Sequence, residues 1–198
     1  MAVARSTLLH LWQLGTFRPH HAFDALQAMP APAWGFRVVV AFNLTISLTS
    51  LLALQLLGRN PLLPSSLTFL PTERYYLAEM AFLPLLRTAT WLLGAATSHL
   101  AIRLTGRPSE VDTILNIGGL VYLVVMPYTF AVDWTAIALD AYDFGLIAIL
   151  HGSIDLVWSV ALLTIGLRRL LLVPTTLALA SALLSATTTL PLLAIFAR

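Results

Sequence analysis

The chain has 198 residues, of which 59% are hydrophobic and 10% charged, with a formal net charge of +2 and a mean hydropathy of +0.87. A soluble domain carries about 25% charged residues, so this chain cannot cover a water-exposed surface and is expected to be a polytopic membrane protein. Cysteine is absent, which excludes disulfides, thiolate nucleophiles and thiolate metal sites. All eleven basic residues are arginine, a bias that favours a bacterial or archaeal source. They are scattered near the ends of apolar segments, where they set orientation, so nucleic acid is not an expected partner.

Residues 1–33 form a cytoplasmic or interfacial segment in this reading, and 34–198 a membrane domain. "MAVARSTLLHLWQLGTF" has an apolar core broken by His10, Gln13 and Gly15 and lacks a small-residue cleavage site, unlike a signal peptide. "RPHHAFDALQAMPAP" opens with Pro19, suited to the first turn of a helix, and closes at Pro30 and Pro32. Ala22, Phe23, Leu26 and Met29 fall on one stripe, which predicts a short interfacial amphipathic helix lying on the membrane.

Five apolar segments follow: 35–57, 76–103, 112–132, 144–166 and 172–197. Each is near or above the ~20 residues that cross hydrocarbon, so the expected fold is an all-α bundle of five transmembrane helices. Gly118 and Gly119 allow close helix contact in the third span. Pro84, Pro127, Pro174 and Pro191 should kink or end helical turns. Residues 133–143, with Asp133, Asp140 and Asp143, are expected outside the membrane, as a loop or an outer-face helix. A cytoplasmic N-terminus puts Arg5, Arg18, Arg37, Arg103, Arg107, Arg168 and Arg169 inside and Arg59, Arg74 and Arg198 outside. That asymmetry predicts an inner membrane protein with its N-terminus in the cytoplasm and its C-terminus outside.

Ionisable side chains within the spans are costly and must face protein. Arg87 and Asp155 lie near the middles of the second and fourth spans, which run in the same direction, and are expected to form a buried ion pair. His151 precedes Asp155 by one turn and faces the same way. Glu79 lies about 12 Å outward of Arg87, near the outer interface. The cluster Arg87, His151 and Asp155 reads either as a proton relay or substrate path, or as a structural clasp. With no third acid continuing a path, the clasp is the expectation. His99, near the cytoplasmic end of the second span, is a candidate contact to a carbonyl, a lipid headgroup or a pigment. There is no HExxH, GxSxG or GxxxxGK[ST], and Ser153 and Ser159 lack an oriented base, so no enzymatic activity is expected.

The order of landmarks resembles the Yip family, membrane proteins named for interaction with Ypt/Rab GTPases, in a compact prokaryotic form. "FRPHHAFDALQAMPAPAWGFRVVV" resembles the family's entry into the first span. "WLLGAATSHLAIRLTGRPSEVDTILNIGGLVYLVVMP" resembles its core, through Trp91, His99, Gly106, Ser109, Gly118, Tyr122 and Pro127. "VWSVALLTIGLRRLLLVPTTLALASALLS" resembles its end, through Trp158, Gly166, Leu167 and Ala180. The resemblance covers most of the chain and implies five spans, a cytoplasmic N-terminus and no enzymatic activity. The N-terminal part is shorter than in eukaryotic members and the acidic DLYGP-type motif is missing, so GTPase binding is not carried over.

The sequence therefore predicts a non-enzymatic scaffold or accessory subunit without a cofactor. Its partners would be the bilayer and other integral membrane proteins or a second copy, met through small residues such as Gly94, Gly118 and Gly119. The alternatives are a transporter or proton-linked channel using Arg87, His151 and Asp155, and a pigment- or haem-binding subunit using His99 or His151.

Overall fold

A computed structural model of the chain describes residues 8–62 and 69–196. Arg5, Arg198 and the end of the fifth expected span lie outside the described residues. The regular structure described is helical throughout. We number the helices α1 (Leu8–Phe17), α2 (Pro19–Leu26), α3 (Ala33–Leu56), α4 (Tyr75–Leu104), α5 (Val111–Ala138), α6 (Phe144–Leu171) and α7 (Thr175–Phe196). Helices α3 and α6 each contain a π-helical turn, at Ser47–Leu51 and His151–Leu156.

Among the described residues, four helices are long and apolar enough to cross a membrane: α3, α5, α6 and, over Thr175–Leu192, α7. Helix α4 has the length, 30 residues, but carries Glu79, Arg87 and His99 and is not among the four. The expected five-span bundle is thus seen as four helices long and apolar enough to cross a membrane and a fifth, more polar helix packed among them. Helices α4, α5, α6 and α7 form a ring in which each packs on the next and α7 closes on α4. Helix α3 packs outside the ring against α5 and α4.

Small residues bring these helices together. A side chain at Gly119 would collide with the backbone of Gly35, so α3 and α5 cross at a glycine pair. The Gly35 amide donates to Asn116 Oδ1 at 2.9 Å, and Trp91 Nε1 donates to the Leu115 carbonyl at 3.2 Å. Gly118 faces the Trp91 indole, and Gly94 faces the Ser185 hydroxyl of α7. The glycines read as faces for other proteins are therefore used inside the chain.

The N-terminal segment departs from expectation. Two helices stand there, and both pack against the bundle. Helix α2 has the expected start and stripe, but Ala22, Phe23 and Leu26 are buried against the bundle. The Phe23 ring fills the space over Gly166 and Ile117. Helix α1 packs on α5, where Gly15 leaves room for Val124 and the Trp12 ring lies 6.1 Å from that of Tyr128. Periodicity says which side of a helix is apolar, and here the rest of the chain covers that side.

Helices α4, α5 and α7 continue through Pro84, Pro127 and Pro191 instead of ending there. Prolines are tolerated inside a packed bundle because neighbouring groups satisfy the freed backbone. Pro174 does mark an end: α6 stops at a left-handed Leu172, and α7 begins just after the proline. Finally, α5 runs to Ala138, six residues past the expected 132, and draws Asp133 into the bundle.

Candidate functional site

A cavity of about 390 Å³ lies inside the ring, between α4, α5, α6 and α7. Arg87, His151 and Asp155 all line it, together with Tyr122 and Met126. The sequence-predicted cluster is therefore one place in the fold. The bonding within it differs from the expected ion pair.

Asp155 is held from α5 and from its own helix. The Thr129 hydroxyl lies 2.9 Å from each carboxylate oxygen and donates to the group. His151 Nδ1 lies 3.3 Å from Asp155 Oδ2, the contact that one-turn spacing predicts. Arg87 takes no part in the ion pairs of the bundle interior among the described residues. Its Nη1 faces the Met126 sulfur at 4.0 Å, and the Tyr122 hydroxyl lies beside it. Equal depth did bring Arg87 and Asp155 to one cavity, but depth does not fix the angle at which a side chain leaves its helix.

The third acid is Asp133. Its carboxylate Oδ1 lies 3.0 Å from His151 Nε2, and the residue is 2% exposed. His151 thus stands between two aspartates, with one ring nitrogen on each. A neutral imidazole has one N–H and can donate to only one of them. An imidazolium donates to both. If the imidazole is neutral, the nitrogen without hydrogen meets a carboxyl that must itself carry a proton to bond it. Either way the three groups share a proton between α5 and α6.

The cluster is oriented along the bundle. Asp155 and His151 border the cavity, whereas Asp133 does not. Asp133 lies nearer the helix ends at Ala138 and Phe144, where Tyr142 is its neighbour. Glu79 is buried at the same end, one turn inside the start of α4. The π-helical turn covers His151 to Leu156, so His151 and Asp155 both sit on a widened turn. Such turns are frequent at functional sites.

His99 stands apart. Its Nδ1 lies 3.1 Å from Ser109 Oγ, at the connection between α4 and α5, and it does not line the cavity. For His151, both ring nitrogens are engaged, so ligating a haem would break a carboxylate contact. Among the described residues no three histidine, aspartate or glutamate side chains converge as a metal-ligand set.

Sequence reasoning misses Asp133 because the first acid after an apolar run reads as the end of the span. The signal was present. Tyr122, Met126, Thr129 and Asp133 are spaced by four, three and four residues, one stripe of a continuing helix. Comparison with family models, with curated proteins and with solved structures finds no match to this chain.

Proposed function

We propose that the protein is a five-span membrane protein that carries protons between one membrane face and a ligand cavity at mid-depth, as a proton-linked transporter or channel. The observation that carries this reading is the contact series Asp133, His151, Asp155, which ends in the cavity. Buried ionisable residues inside a membrane bundle mark proton relays and substrate pathways. A proton arriving on Asp133 passes to His151 Nε2. The resulting imidazolium releases its Nδ1 proton to Asp155, which passes it to the cavity, and rotation of the neutral ring, rather than proton exchange, then carries the remaining N–H away from Asp133 before the next proton arrives. No bond of a substrate is cleaved.

Helix α4 is the fifth span in this proposal. Its Glu79 is buried and its Arg87 lines the cavity, and 30 residues give about 45 Å of length. The arginine asymmetry favours a cytoplasmic N-terminus in a prokaryotic inner membrane, and the likeness to the Yip family implies the same count and orientation. Gly94, Gly118 and Gly119 pack within the chain, which weighs against the accessory-subunit reading.

The test is proton entry into liposomes containing the purified protein, driven by a potassium diffusion potential and read with an internal pH dye. It is run with and without small organic anions outside. Wild type should acidify the interior faster than empty liposomes, and Asp155→Asn should return the rate to that of empty liposomes. Equal rates for wild type and Asp155→Asn under every condition would end this reading.

A further inference from the structure

The guanidinium of Arg87 borders the cavity with little to hold it. Its Nε is buried without a hydrogen-bond partner among the described residues, Nη1 faces a thioether sulfur, and the neighbouring Tyr122 hydroxyl is neutral. An arginine offers five donors in a planar fork, and a fork of that shape matches a carboxylate or a phosphate. In a membrane interior a cation with no anion beside it is costly. The carboxylate across the cavity, Asp155, is already bonded by Thr129 and His151. An anion is thus missing from the Arg87 side of the cavity, and there is space for one.

The shape of the cavity describes the rest of the ligand. It follows α4 from Arg87 to Ser98, eleven residues or about 16 Å. Beyond Arg87 its walls include Trp91, Val121, Leu163 and Ala182, with no further charge. A volume near 390 Å³ falls within the range of pockets that hold drug-sized molecules, roughly 300–1,000 Å³.

We propose that the cavity binds an organic anion with an apolar body, its carboxylate or phosphate head on the Arg87 fork and its body along Trp91 and Leu163 toward the Ser98 end. This rests on reading the cavity as the ligand site of the proton-linked protein, and it names the ligand's class. The head could belong to a soluble organic acid or to a membrane lipid.

The experiment is equilibrium binding of labelled dodecanoate to the full-length protein in nanodiscs of zwitterionic lipid. Dodecanoate should bind saturably, with dodecanol and dodecyltrimethylammonium as competitors weaker by roughly tenfold or more. Arg87→Gln should weaken binding by at least that factor, and Arg87→Lys should fall between, having charge without the fork. If Arg87→Gln fails to fold, Gly152→Phe replaces it. Gly152 lines the cavity and a Cβ there meets nothing within 4 Å, so a ring is accommodated at the cavity wall without a clash. Anionic phospholipid that displaces dodecanoate assigns the head to a lipid. Dodecanoate binding unaffected by that lipid assigns it to a soluble acid.

The proposal fails if no saturable binding occurs, if dodecanol binds as well as dodecanoate, or if Arg87→Gln and Gly152→Phe both bind as wild type does. Proton flux separates this failure from that of the function. Flux without anion binding overturns the ligand class alone, and anion binding without flux overturns the proton path alone.

Discussion

His151 Nε2 and Asp133 Oδ1 lie 3.0 Å apart and join α6 to α5 inside the bundle. The same imidazole meets Asp155 through its other nitrogen. Cutting one contact leaves a buried polar group unsatisfied, which costs about 1–3 kcal/mol, and more for a charged one. Asp133→Asn and His151→Gln should each lower the unfolding temperature in detergent. The double variant should lose less than the two singles added together, because they disrupt one network. Additive losses, measured by thermal unfolding, would show the two residues to be independent.

The glycine pair makes a sharper structural prediction. A Cβ at Gly119 runs into the backbone of Gly35, which cannot move aside without shifting α3. Gly119→Ala should therefore cost about 1–3 kcal/mol through overpacking. At Gly118 the obstacle is the Trp91 side chain, 2.7 Å from the added atom at its Nε1. A side chain can shift where a backbone cannot, so Gly118→Ala should cost less than Gly119→Ala in the same unfolding assay.

The N-terminal helices are held by burial more than by charge. Phe23 is fully buried between Gly166 and Ile117, and Phe23→Ala should cost about 3 kcal/mol or more. Asp24 accepts a two-pronged contact from Arg169, with Nε at 2.6 Å and Nη2 at 2.9 Å, but both residues are exposed. Arg169 holds the Asp24 carboxyl below its usual range. A lowered carboxyl stabilises the folded state above the ordinary value, about 4, and loses that contribution as pH falls through the lowered one. Asp24→Asn should therefore have a small effect at neutral pH, weaker still in high salt, and none in strong acid. Protease accessibility of residues 8–30 is the measurement, and Phe23→Ala should raise it far more than Asp24→Asn.

Asn43 on α3 is fully buried, and its side-chain amide has no hydrogen-bond partner. An unsatisfied buried amide costs more than an apolar group of similar volume. Asn43→Leu should leave thermal stability unchanged or raise it. A clear loss would mean that a bonding partner of the amide is met in the membrane.

The parts of this fold legible in sequence are those that hydropathy and rise per residue determine. The apolar runs of α3, α5, α6 and α7 were visible, and so was the shared depth of Arg87 and Asp155. Direction around a helix axis was not. Thr129 and His151 occupy Asp155, and Arg87 faces Met126 and Tyr122 instead. The stripe of α2 was legible, but not that α5 and α6 bury it. Asp133 was hidden for a different reason: an acid at the end of an apolar run looks like the water boundary, and only a partner on another helix shows that it is inside.

The central claim is that Asp133, a residue outside the cavity wall, lies on the same proton path as Asp155 within it. The direct measurement is proton entry into liposomes carrying Asp133→Asn, beside Asp155→Asn and wild type, with folding checked by thermal unfolding. Asp133→Asn should stop the flux as completely as Asp155→Asn does. Wild-type flux in a folded Asp133→Asn protein would contradict the account.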